Sequence, residues 1–217
     1  MHKPNMLLES DVREELDWDP QLDDSRVVVN ADDGKVTLTG SVPTFYETTR
    51  AADDVNLVGG VTGIDNQLLV GPLGDAITDA QLTIAAAAAL DADKFVPKGS
   101  VKADAVDGWV TLDGDVRRHY QRSAAEHAVG KLDGVLGISN KIAITSDPIP
   151  SDIAARIHKA FERNAIIDDS LIEVSNVGPT VYLDGTTTSS MAKREAEETA
   201  WDAPGVVEVV DRLQVVP

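Results

Sequence analysis

The chain has 217 residues, no cysteine and a formal net charge of −18. Disulfide and thiolate chemistry are therefore excluded, the charge opposes bulk attraction to nucleic acid, and no run of about 18 apolar residues exists to make a transmembrane segment. A hydrophobic content of 42% points to a folded chain; with only Met6-Leu7-Leu8 as an apolar run near the N-terminus, the expected compartment is the cytoplasm, or the periplasm if a leader has been removed.

The first predicted element is a helix over about Ser10 to Leu16, with Ser10 as N-cap and Leu16 turned inward. Val27 and Val29 then alternate as a strand, Asp33-Gly34 turns, and Val36/Leu38 face inward on a second strand. A helix over about Thr44 to Leu57 buries Ala51, Val55 and Val58, and a third strand runs from Ile64 to Val70. Trp18 reads as buried in this copy. The same order then returns. A helix spans about Asp79 to Leu90, Val101/Ala103/Ala105 and Val110/Leu112 flank Asp107-Gly108, a helix covers about Arg118 to Leu132, and a strand runs from Ile138 to Ile144. It returns again with a helix over about Ser151 to Asn164, Ile172/Val174 and Val181/Leu183, a helix over about Ser189 to Trp201, and a strand over Val207 to Val215. Here Asn176-Val177-Gly178-Pro179 replaces the Asp-Gly turn and is expected to be one residue longer.

Glycines mark the repeat. Gly40 and Gly60, Gly114 and Gly134, and Gly185 and Gly205 are each twenty residues apart. Gly34, Gly108 and Gly178 mark the turns before them. A period above 70 residues exceeds a solenoid repeat, so each copy is a small domain: 1–73, 74–146 and 147–217. The predicted fold class is α+β, as three tandem αββαβ two-layer sandwiches. Each has a three-stranded mixed sheet and two helices on one face, with a right-handed crossover. The linkers Gly71-Pro72-Leu73-Gly74 and Ser146-Asp147-Pro148-Ile149-Pro150 predict a semi-rigid row of domains.

The strand Gly34-Lys35-Val36-Thr37-Leu38-Thr39-Gly40, its counterpart Gly108-Trp109-Val110-Thr111-Leu112-Asp113-Gly114, and the closing Gly134-Val135-Leu136-Gly137-Ile138-Ser139-Asn140 resemble the BON domain. The third copy departs from that pattern at Pro179 and Asp211. The resemblance implies an αββαβ fold and a non-enzymatic role as a phospholipid-surface binding module in envelope maintenance and osmotic-shock protection.

The residues themselves carry no nucleophile elbow, phosphate loop or EF-hand. No catalytic residue, cofactor or metal site is expected. His119 and His127 lie eight apart on one helix and read as solvated, and Ser123 beside them lacks any catalytic context. Asp104, Asp107, Asp113 and Asp115 read as a solvated acidic edge that discourages strand pairing. Charge is uneven: residues 1–73 carry 5 basic and 14 acidic groups, 74–146 carry 8 and 10, and 147–217 carry 6 and 13. An anionic partner should therefore meet the middle copy. There, Arg117, Arg118, Tyr120 and Arg122 open a helix whose N-terminus already favours anions. They are the candidate phospholipid-binding residues. The competing reading pairs these arginines with acidic groups of a neighbouring domain, leaving a soluble protein-interaction or self-association scaffold.

Overall fold

The computed structural model describes residues 3–71, 77–145 and 148–216. The first unit contains α1 (Asn5–Trp18), β1 (Val27–Asp32), β2 (Lys35–Val42), α2 (Phe45–Leu57), β3 (Gly63–Asn66) and β4 (Leu69–Val70). The second contains α3 (Asp79–Ala92), β5 (Val101–Val106), β6 (Trp109–Val116), α4 (His119–Gly130), β7 (Gly137–Asn140) and β8 (Ala143–Ile144). The third contains α5 (Ile153–Phe161), β9 (Ile172–Val177), β10 (Thr180–Thr187), α6 (Ser190–Trp201) and β11 (Glu208–Val215). These are three α+β units, each with a mixed sheet: an antiparallel hairpin, then a third strand returning parallel to the second.

Each unit has its own core. Val36 and Leu38, Val110 and Leu112, and Val181 and Leu183 are all at 0% exposure. They pack under the paired helices: Leu8, Val12 and Leu16 with Ala51 and Val55 in the first unit, and Ile153, Ile157 and Phe161 with Ala196 and Ala200 in the third. The alanine stripe lets the crossover helix lie close to the sheet. Asp33-Gly34 and Asp107-Gly108 both adopt positive φ at both turn positions, as a primed turn requires.

Several expectations change. α1 begins at Asn5, after Pro4, so Ser10 lies inside the helix and caps nothing. The third hairpin is not longer. Val177 pairs with Thr180 as Asp32 pairs with Lys35, because Gly178 supplies the positive φ and Pro179 the fixed φ that a two-residue turn accepts. The third strand of the first two units is interrupted, at Gln67-Leu68 and Lys141-Ile142. There Asn66 and Asn140 turn their side chains onto the N–H of Leu68 and Ile142, although the register to β2 and β6 is kept on both sides. Trp18 is 84% exposed, since α1 ends with that face away from the core. Of the linkers, 72–74 and 146–147 lie outside the described residues, as does His2.

The units do not form a row. Their crossover helices pack head to tail in a closed ring. Phe45 and Tyr46, opening α2, rest against the end of α4, where a Cβ on Gly130 would lie 3.3 Å from the Phe45 ring. His119, opening α4, stacks on Trp201 at the end of α6, with centroids 4.1 Å apart. Ser190, opening α6, donates to the Val61 carbonyl just beyond α2 at 2.9 Å. Phe45, His119 and Ser190 each stand five residues after the strand glycine, so one interface position is used three times. A heterologous contact that closes after three copies leaves no free end.

Candidate functional site

Two features stand out at the ring: its polar centre and the basic opening of α4. At the centre, the Arg194 guanidinium reaches Asp53 across the unit boundary at 2.5 Å and Glu198 on its own helix at 2.8 Å. Burial pushes the Asp53 carboxyl up, and Arg194 opposes the shift. Burial works against the Arg194 charge as well, but Glu198 and Asp53 outweigh it and raise its pKa. Arg194→Ala should therefore leave a half-buried carboxylate unpaired. We expect about 1–2 kcal/mol lower stability in urea melts, with Asp53→Ala recovering part of it in a double-mutant cycle. Strictly additive losses would show that the pair does not hold the first and third units together.

A second charged group lies beside the ring, where α1 ends against α2. Arg50 donates to Asp19 at 2.5 Å and stands 3.8 Å from Asp54. Burial disfavours the Asp19 charge, but the Gln21 N–H and Arg50 win and lower its pKa. Asp54 is the loser: burial first, with Asp19 nearby, pushes it up to about 7 against the pull of Arg50. Its Oδ2 is buried without a hydrogen-bond partner.

The predicted binding residues sit together. Arg118 is the N-cap of α4 and, having no acceptor, cannot cap it with its side chain. Gln121 does that work: its side-chain oxygen accepts the N–H of both Arg117 and Arg118. This frees both guanidinium groups to point outward. Arg117 and Arg118 are exposed, and Arg122 is half-buried one turn on. Among the described residues none of the three has a carboxylate within ion-pair distance, which removes the support for pairing with a neighbouring domain. Tyr120 is 51% exposed and meets Phe95 edge to face at 6.1 Å. Lys94 stands 4.7 Å over the Phe95 ring. Sequence reasoning missed Lys94 and Phe95. They follow α3 and reach Tyr120 only through the fold, although a Lys-Phe pair at that register is absent from the other copies.

Tyr120 and Phe95 also form one wall of an open cleft of about 660 Å³ between the crossover helices, with Asp53, Arg194 and Glu198 opposite. His119 lies deeper. Its Nε2 is 3.2 Å from Ser123 Oγ, while Nδ1 is buried and has no partner. Burial, reinforced by the Arg122 charge, holds its pKa below the ordinary imidazole value, so the ring that stacks on Trp201 is neutral at pH 7. A serine–histidine pair with no acceptor behind Nδ1 lacks the orienting group that nucleophilic catalysis uses. His127 lines the same cleft and stands edge-on to Tyr46.

Among the described residues no helix is long and apolar enough to cross a membrane. The chain is 31% identical over 125 residues to osmotically-inducible protein Y of Escherichia coli (strain K12), covering 54% of this chain and 60% of that protein. It therefore spans under two thirds of that relative's length. Among solved structures it aligns with CdsD, a structural protein of the type III secretion system of Chlamydia trachomatis, at 16% identity and a TM-score of 0.25, over 96% of this chain and 91% of that one. The CdsD C-terminal domain aligns at 15% identity and a TM-score of 0.26, over 100% of both chains. Both scores are too low to define a shared overall fold. The BON domain model matches residues 7–72, 78–146 and 151–217. Those matches coincide with the three αββαβ units, and the chain belongs to the BON domain family, with three copies of the domain in tandem.

Proposed function

We propose that this chain is a non-enzymatic adhesion module that docks on anionic phospholipid surfaces during osmotic or envelope stress, through Arg117, Arg118, Arg122 and Tyr120 of its middle unit. The observation that carries the reading is the pair of exposed guanidinium groups at the mouth of α4, without a carboxylate partner among the described residues, beside the exposed Tyr120–Phe95 pair and Lys94. Cations flanking amphipathic aromatic rings suit a lipid headgroup layer. The relative named for osmotic induction supports the physiological setting.

Each basic residue near an anionic surface contributes about 1 kcal/mol. Arg117, Arg118, Arg122 and Lys94 together supply about 4 kcal/mol, a millimolar affinity before the aromatic pair adds to it. The net charge of −18 works against them at long range. Binding should thus be weak, local and salt-sensitive. Arg117→Glu/Arg118→Glu should abolish co-sedimentation with anionic vesicles while the far-UV spectrum stays unchanged. Pelleting of the double variant at the wild-type level would discard the site.

A second reading has its own observation. Val106, Trp109 and Leu136 are exposed at 60%, 57% and 48% at the hairpin end of the middle unit. Trp109 lies flat across Gly137, whose missing Cβ would sit 2.5 Å from the ring. A patch of this kind suits a protein partner or self-association, and it would appear as a concentration-dependent oligomer with no lipid requirement.

A further inference from the structure

We propose that the third unit carries a binding site for one divalent transition-metal ion of the zinc class, formed by His158, Glu162 and Asp169. His158 and Glu162 are four residues apart on one face of the α5 end, and Asp169 opens the 3₁₀ turn Asp169–Leu171 that leads into β9. One donor atom from each lies within 4.8 Å of the others. His158 Nε2 stands 3.5 Å from Asp169 Oδ2. Two donors on one tetrahedral ion, each at about 2.0–2.1 Å, sit about 3.4 Å apart, so this pair is already at ligand spacing. Imidazole nitrogen and carboxylate oxygen are both zinc donors, and three protein ligands leave a fourth position for water. The carbonyl end of the helix adds negative potential at the same place.

The repeat supplies an internal comparison. Counting back from the strand glycines, the positions of His158, Glu162 and Asp169 hold Arg13, Asp17 and Asp24 in the first unit and Ala87, Asp91 and Lys98 in the second. Each sister unit has a fixed cation in the trio. In the first, Arg13 is turned onto the Val29 carbonyl and Glu9. Only the third unit sets two carboxylates around an imidazole, and among the described residues neither carboxylate has a lysine or arginine within ion-pair distance. The fold therefore does not require the trio, and its uncompensated charge is what a metal ion would neutralise. Residue spacing alone does not reveal it, because Asp169 lies beyond the end of α5 and only the fold returns it to the helix.

The test is a titration of the intact, untagged chain with Zn²⁺ by calorimetry, and with Co²⁺ by visible absorption, at about pH 7.5, because a metal ion takes deprotonated ligands. One saturable equivalent is expected, with d–d bands for Co²⁺ that report a low-coordinate site. His158→Gln and Glu162→Gln should each weaken Zn²⁺ binding at least about tenfold, whereas His127→Gln should leave it unchanged. His158 and Glu162 are on a surface helix, so both variants are expected to keep the wild-type far-UV spectrum. Absence of a saturable equivalent, or the same affinity in His158→Gln, would overturn the assignment.

Discussion

Gly114→Ala is expected to unfold the middle unit while the flanking units persist. Gly114 has φ +144°, and a Cβ there would lie 2.0 Å from the Ser100 carbonyl oxygen. That oxygen is backbone, held by the Asp115 N–H, so it cannot swing aside as a flexible side chain would. The strand hairpin β5–β6 would have to part at its open end. Such a clash, together with the left-handed strain, costs about 4 kcal/mol or more. A domain of this size has a margin of about 3–10 kcal/mol. The same geometry recurs at Gly40 against Arg26 and at Gly185 against Leu171, which is why these glycines mark the repeat. Gly59→Ala is the control: a Cβ there would meet no atom within 4 Å, and a change within about 0.5 kcal/mol is expected. Because three linked units need not unfold together, amide hydrogen exchange resolved by unit is the measurement. Native protection of β5 and β6 in Gly114→Ala would contradict the close approach.

Asp54→Asn is expected to stabilise the chain above neutral pH and to do little below about pH 4. The folded pKa of Asp54 is raised from 3.8 to about 7. A raised acid binds its proton more tightly when folded. Its contribution is therefore fully present below 3.8 and is lost as pH rises through about 7. A rise from 3.8 to about 7 sets a ceiling of about 4 kcal/mol, and relaxation around Arg50 should reduce this to about 2 kcal/mol. Asparagine keeps the shape of the protonated carboxyl and removes the charge that competes with Asp19 for Arg50. The wild-type melting temperature should fall relative to the variant between about pH 4 and pH 7. Parallel curves across that range would mean that Asp54 ionises normally in the folded chain.

Much of the fold was legible because the core residues repeat at fixed periods. Val36/Leu38 and their two counterparts alternate on a strand, and Thr44, Arg118 and Ser189 all fall at the N-cap positions of the crossover helices. Asp33-Gly34 and Asp107-Gly108 announce their own turn. Pro179 made the third hairpin ambiguous, since a proline beside Gly178 fits a tight turn as well as a longer loop. The ring was not legible. It depends on the outer faces of α2, α4 and α6, where Phe45, His119 and Ser190 share a position but no chemistry. Asp54 was likewise hidden, because it sits next to Asp53 in what reads as a wet helix face, and only the packing of α1 on α2 buries it. The basic cluster of α4 could be found from its charge, whereas its aromatic partner Phe95 could not, since α3 and α4 are brought together by tertiary packing alone.

Recognition of a charged lipid surface by the middle unit is the central claim. Vesicle co-sedimentation of the unaltered chain measures this directly, with neutral lipid replaced stepwise by anionic lipid at low and at high salt. The bound fraction should climb with anionic content at low salt and collapse at high salt. A bound fraction that ignores lipid charge, or no binding at any composition, would contradict it.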